Sequence, residues 1–362
     1  MSILSNSKNY IHISDINDID KSLDRNIKSA LKNIKTSPSL FPYKVEINNN
    51  KIYFALMTKK HYRESFFILS EGNGPGFLKG SLSFSANLIS VIDLFKNKSH
   101  IEKSSVIFNH GFCCSTLLSR LLEESFNVLS LKEPPLLNSL RHHLENNDDD
   151  KDITNTILAI HDRSFSKNQR VLWKPSDYAF DLIDITQQQD VPTVYLYSPL
   201  REYIASCSKE KRREWIAQRA NYKKIINLFN LNNSNIDISK TSIQATLYWC
   251  SFAQKFINLS SNKNNIVAVN SKTLLDNPKI SYKIGKHLKL KRKFNIFEKS
   301  NINSLLNTYA KTDTYEFNKE QRDDQLNLII HKNLDDIIEA EKFAEEILGM
   351  SIKNFKFKNE IF

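Results

Sequence analysis

Cysteine is scarce in this 362-residue chain, occurring only as Cys113, Cys114, Cys207 and Cys250, with no Cys-x-x-Cys pair. Adjacent cysteines such as Cys113 and Cys114 are poorly placed for an ordinary disulfide, and a zinc site needs a fuller ligand set. The expectation is reduced thiols and no metal. Long apolar runs are missing too: no stretch approaches the roughly 20 residues needed to span a bilayer. The opening MSILSNSKNYIHISDINDID has no apolar core behind a basic patch, so no signal peptide is expected and the predicted location is cytoplasmic. Glycine is rare, at seven residues, so any glycine at a strand-to-helix turn carries weight, because tight turns need its permissive backbone. No Gly-Lys-Ser or Gly-Lys-Thr occurs, which disfavours ordinary ATP- or GTP-driven phosphoryl transfer.

What is present is a soluble-type composition, 25% charged and 40% hydrophobic, with a net charge of +11 and enough length for a substantial core. The charge suits an anionic ligand, though it also follows from a chain rich in Lys, Asn and Ile. The lysines are dispersed, without long basic runs or basic–aromatic interleaving, which argues against nucleic acid. Residues 12–35 carry Ile16, Ile19, Leu23, Ile27, Ala30 and Leu31 at helical spacing. A hairpin is predicted from YKVEI, Asn48-Asn49-Asn50 and KIYFALM, since asparagine tolerates the positive φ of a tight turn. The segment EGNGPGFLKG (71–80) and the polar stretches 141–152 and 229–240 read as loops. The acidic run in 141–152 reads as solvated rather than metal-binding.

From residue 104 the pattern alternates. Strands are predicted at 105–109, 127–131, 169–173, 192–197 and 265–269, with helices at 115–124, 134–145, 152–165, 177–188, 200–220 and 241–259. Short apolar strands joined by helices predict an α/β fold: a three-layer, mostly parallel central sheet with helices on both faces. The first of these strands then ends where such sheets bind ligands.

That strand leads into His110-Gly111-Phe112-Cys113-Cys114-Ser115-Thr116, followed by Leu117, Leu118, Leu121 and Leu122 at helical spacing. A strand, tight turn and helix start aim backbone N–H groups and the positive end of a helix dipole at one spot, where a phosphate or sulfate fits. Cys114 and Arg120 also have the Cys-x5-Arg spacing of cysteine phosphatases, but the intervening Ser-Thr-Leu-Leu-Ser holds leucines at core-facing positions.

The junction resembles the 5′-phosphosulfate loop of P-loop sulfotransferases, the bacterial and tyrosylprotein type, whose usual form is Pro-Lys/Arg-Ser-Gly-Thr/Ser-Thr before a leucine-rich helix. Aligned on Ser115-Thr116-Leu117-Leu118, Cys114 stands at the glycine position and Cys113 at the serine position. Further matches follow in order. Leu131-Lys132-Glu133-Pro134 closes the second strand, where the family places a glutamate as general base. Trp173-Lys174-Pro175-Ser176-Asp177 is similar to the lysine turn beside the transferring sulfonate. Tyr197-Ser198-Pro199-Leu200-Arg201 through Ser206 resembles the 3′-phosphate motif. Trp249 and Leu274-Leu275-Asp276-Asn277-Pro278 add softer likeness, and the whole covers residues 104–290.

The resemblance implies transfer of a sulfonate from 3′-phosphoadenosine 5′-phosphosulfate (PAPS), the co-substrate, to a hydroxyl or amine of a small-molecule or carbohydrate acceptor. It implies no metal. Glu133 and Lys174 would be catalytic; His110, Gly111, Phe112, Cys113, Cys114, Ser115, Thr116, Arg201 and Ser206 would hold the donor. Two departures stand out: Phe112 where the family has lysine or arginine, and Ser198 where it has the 3′-phosphate arginine. Lys174, Lys132 and His110 are the candidates for replacement charge, and Lys311 for a lid within 309–322. These departures keep open a nucleotide- or anion-binding protein of the same fold without catalysis. The expected organisation is an N-terminal α/β extension (1–95), a nucleotide-binding core (96–295) and a helical tail (296–362).

Overall fold

A computed structural model describes residues 10–13, 34–63, 83–96, 98, 101–146, 150–231, 236–294, 298–308, 318–353 and 355–362. It is an α/β structure with two sheets. The first has four strands in the order β1-β4-β3-β2, from β1 (Tyr10–Ile13), β2 (Leu40–Glu46), β3 (Lys51–Leu56) and β4 (Ser83–Asn87). The second has five parallel strands in the order β6-β7-β5-β8-β9, flanked by helices. Its strands are β5 (Ser104–Asn109), β6 (Val128–Lys132), β7 (Arg170–Lys174), β8 (Thr193–Tyr197) and β9 (Ile266–Asn270). All five fall within a residue of their predicted positions. The reason is burial: every residue of β5 and β8 is buried, and each of the five strands carries at least three apolar residues, as a sheet covered on both faces requires.

The chain divides into two compact units. The first comprises Met1–Val106, Ser125–Pro192 and Leu288–Phe294. It contains the predicted hairpin, with Glu46 opposite Lys51 and Asn50 at φ 50° in the turn. Helix α1 (Leu88–Phe95) is capped by the Asn87 side chain on Ser90 N–H. Two longer helices follow, α3 (Pro135–Asn146) and α4 (Lys151–His161). The expected loop at 141–152 is therefore helical through Asn146. Asp150 then starts α4 by accepting from Ile153 N–H at 3.1 Å. The predicted helix 177–188 splits into a 3₁₀ turn (Asp177–Ala179) and α5 (Leu182–Gln188).

The second unit comprises Ile107–Glu124, Thr193–His287 and Asn295–Phe362. It holds α2 (Ser115–Ser125), α6 (Leu200–Cys207), α7 (Glu210–Arg219), α8 (Tyr222–Leu228), α9 (Thr241–Ser260), α10 (Ser271–Asp276), α11 (Ile280–His287), α12 (Glu298–Asn307), α13 (Lys319–Lys332) and α14 (Leu334–Leu348). The helix expected over 200–220 is two helices. The Ser208 hydroxyl donates to Ile204 O at 2.9 Å and Lys209 turns extended, which breaks the run.

Of the helix expected at 12–35, residues 12 and 13 are strand, 34 and 35 are turn, and 14–33 lie outside the described residues. So do the loop 71–80 and, with Lys311, residues 309–317. Among the described residues no helix is long and apolar enough to cross a membrane.

Candidate functional site

In the second unit β5 ends at Asn109, whose Oδ1 accepts Gly111 N–H at 3.0 Å and starts the turn. Gly111, Phe112 and Cys114 then take positive φ values of 86°, 52° and 63°. Left-handed residues at this density bend the chain sharply into the head of the following helix. This geometry suits glycine and is strained for Phe112 and Cys114. Cys114 thus adopts a backbone conformation that favours glycine. Helix α2 starts at once: Leu118 N–H bonds Cys114 O at 3.0 Å, leaving the N–H groups of the first turn at the loop. Leu117, Leu118, Leu121 and Leu122 are buried and anchor α2; Ser115 and Thr116, in its first turn, are buried as well.

Each remaining loop residue has a definite role. The Cys113 thiol points inward to Leu196 O at 3.3 Å. His110 is fully buried, and its Nε2 accepts the Ser198 N–H at 2.9 Å. A ring nitrogen that accepts cannot carry a proton, so His110 is a neutral strut and supplies no replacement charge. Ser198 is locked from all sides: its carbonyl accepts Trp249 Nε1–H at 2.9 Å, and its hydroxyl meets Ser271 Oγ at 3.0 Å. This position is 1% exposed and is occupied as a structural joint.

Arg201 and Ser206 share α6 but are not brought together. Five residues apart, they lie about 140° apart around the helix. Ser206 is buried. The Arg201 side chain is 46% exposed and forks onto Glu341 of α14, at 2.9 and 2.5 Å. Glu341 also holds its guanidinium above the usual arginine range.

The cations that do reach the loop come from elsewhere in the same unit. The Arg212 guanidinium lies 4.2 Å from the Phe112 ring centroid, and Trp215 meets that ring edge-on at 4.7 Å. Burial pushes the Cys114 thiol up, while Arg322 and Arg212 pull it down and Glu202 and Asp323 oppose them. A thiol held up in this way, with Ser115–Arg120 wound into helix, does not make a phosphatase loop: that chemistry needs a low-pKa thiolate wrapped by free N–H groups. Sequence reasoning missed Arg212 and Arg322. The basic run 209–213 was the available signal for the first; only tertiary structure brings the second.

In the first unit, Lys132 and Lys174 are register partners at the ends of β6 and β7. The ladder runs one bond further, Glu133 N–H to Lys174 O at 2.7 Å. Glu133 sits at φ 56°, which turns the chain sharply into α3. Lys174 Nζ, fully buried, is ion-paired with Glu133 Oε1, whose side chain keeps 24% exposure. Lys132 takes no part in this pair; its buried Nζ donates to Tyr62 O at 2.9 Å. Ser176, two residues past Lys174, donates to Asn138 Oδ1 of α3 at 2.6 Å. Asn138 in turn lines a cleft of about 1310 Å³ with Glu46, Asn49, His142, Asp150 and Tyr178. The Lys44 ammonium, with Tyr53 and Asn49, holds the Glu46 carboxyl down at about 2. The cleft is therefore polar and carries ionised carboxylate.

No protein-family model matches the chain, and no curated protein matches it in sequence.

Proposed function

We propose that the chain is a sulfotransferase-like enzyme, transferring a sulfonate from PAPS to a hydroxyl or amine of a small-molecule or carbohydrate acceptor. The observation that carries this reading is the Lys174–Glu133 ion pair at the ends of neighbouring parallel strands. A part-exposed carboxylate held by a buried ammonium is fixed in direction, which is what a positioned proton acceptor needs. The donor, when bound, supplies a sulfonate on a phosphate leaving group. What falls to the protein is to bind that anion, take the acceptor's proton and balance the charge that develops as the phosphate departs.

In this reading the Gly111–Thr116 loop and the first turn of α2 hold the phosphosulfate by backbone N–H groups. Glu133 takes the proton from the acceptor as the new bond to sulfur forms. Lys174, paired with Glu133 in the resting protein, offers its charge to the leaving oxygen. The polar cleft beside Asn138 gives a hydrogen-bonding acceptor room. Of the motif expected to hold the 3′-phosphate, Arg201 is engaged with Glu341, so that part of the assignment is not carried forward.

A second reading, binding of a nucleotide or anion without turnover, is favoured by Phe112 standing where the family has a cation. Calorimetric titration with 3′-phosphoadenosine 5′-phosphate, using ATP and 5′-AMP as controls, tests both. Micromolar binding that depends on the 3′-phosphate is expected. No binding by the folded protein overturns the transferase reading. Binding with no turnover on any acceptor leaves the second.

A further inference from the structure

Between Lys209 and Leu231 seven basic residues stand against two acidic ones. These 23 residues therefore carry +5 of the chain's net +11, and they fold as α7 and α8. Both helices pack on α9, within the second unit. Tyr222, the first residue of α8, is buried and donates its hydroxyl to Ile216 O of α7 at 2.5 Å, which locks the two helices together. Ile216, Tyr222, Ile225 and Ile226 take the inner side. Lys211 and Arg213 of α7 and Lys223, Lys224 and Leu228 of α8 are left exposed. Arg213 is steadied by donating Nε to Ser208 O at 2.7 Å. The two acidic residues, Glu210 and Glu214, both lie on α7, so the charge of α8 is purely basic.

The same surface leaves aliphatic side chains in water. Leu228 is 58% exposed and stands one turn beyond Lys224 on the same side of α8. Ile238, 46% exposed, lies at the far end of the connection that leads into α9. Asp237 beside it is turned onto Ser239, accepting its N–H at 3.1 Å and its hydroxyl at 2.5 Å. A leucine among lysines gains nothing from solvent, nor from the phosphates of a nucleic acid. It gains by entering the acyl boundary of a bilayer while the lysines meet anionic headgroups. The apolar stems of lysine and arginine let their charges stay at headgroup level as the leucine dips deeper. With ten and seven residues, neither helix can span a bilayer, so the contact is one of lying on the surface.

We infer that the outer face of α7 and α8 docks this protein on an anionic lipid bilayer. Lys211, Arg213, Lys223 and Lys224 meet the headgroups, and Leu228 and Ile238 enter the outer acyl region. The inference is independent of the transferase reading, because none of these residues belongs to the Gly111–Thr116 loop, the Lys174–Glu133 pair or the cleft beside Asn138.

Sedimentation with vesicles of phosphatidylcholine, alone or mixed with phosphatidylglycerol, tests it. The proteins compared are wild type, Lys223→Glu/Lys224→Glu, Leu228→Ser and Lys59→Glu/Lys60→Glu, each checked for folding by circular dichroism. Lys59 and Lys60 are exposed in the first unit, so reversing them changes net charge equally at another place. Wild type is expected to sediment with the mixed vesicles and not with phosphatidylcholine alone. Reversal at 223 and 224 is expected to weaken binding roughly tenfold or more, Leu228→Ser severalfold, and the control pair little. No sedimentation of wild type with mixed vesicles overturns the inference, as does equal sedimentation with both kinds. Binding unaffected by reversal at 223 and 224, or weakened as much by the control pair, overturns it too. Loss in the lysine pair with none in Leu228→Ser would assign the face to a soluble polyanion and overturn the docking on lipid.

Discussion

Arg163 illustrates how much a single side chain ties down in the first unit. Fully buried, it donates Nε to Ile160 O at 2.7 Å, and Nη1 and Nη2 to Ile34 O and Leu40 O, each at 2.5 Å. Burial pushes its guanidinium down to about 10. Truncation strands three buried carbonyls, so Arg163→Met is expected to lower stability by about 3 kcal/mol. Chemical denaturation monitored by circular dichroism measures it; a loss under about 1 kcal/mol would mean those carbonyls find other partners. Residue identity at the candidate site was only partly legible from sequence. Glu133 and Lys174 were readable because each closes a strand, and strand ends are fixed by local pattern. Arg322 lies about 200 residues beyond the loop, and no local pattern couples the two. His110 looked like a charge source until its acceptor role on Ser198 N–H was visible.

At the scale of elements, helix α4 ends on a histidine that titrates against the fold. His161 is buried between Phe41 and Trp173, both edge-on near 6 Å, and its Nδ1–H donates to Ile157 O at 2.7 Å. Burial holds its ring down to about 4, against an ordinary value of 6.5. Below pH 6.5 the unfolded chain therefore binds a proton that the folded chain refuses. Stability falls as pH drops from 6.5 to 4, by about 3 kcal/mol from this group, and loses no more below 4. His161→Phe is expected to flatten that part of the profile; an unchanged slope would assign it to other groups. Strands of the parallel sheet were legible because both faces are buried. Helix ends were less so. The break where Lys209 turns extended has no such signal, whereas the helix Pro135–Asn146 matches the one expected over 134–145.

For the whole molecule, the α/β class and parallel sheet follow from the alternation of apolar strands and amphipathic helices, and the sequence carries that alternation openly. The four-stranded sheet was half legible: its hairpin has a turn signal, whereas β1 pairs with β4 across more than seventy residues. The net charge of +11 predicts salt-sensitive association with any polyanionic ligand. Raising ionic strength from 0.05 to 0.5 M is expected to weaken 3′-phosphoadenosine 5′-phosphate binding severalfold, read by repeating the titration; salt-independent affinity would argue against an ionic site.

The central claim is sulfonate transfer with Glu133 as base. Its most direct test is incorporation of labelled sulfonate from PAPS into a pool of mono- and disaccharides and simple phenols, by wild type and Glu133→Gln side by side. The account predicts incorporation by wild type and a loss of roughly 10²-fold or more in the variant, with 3′-phosphoadenosine 5′-phosphate affinity unchanged. Equal incorporation by both proteins, or none by wild type across the pool, would contradict it.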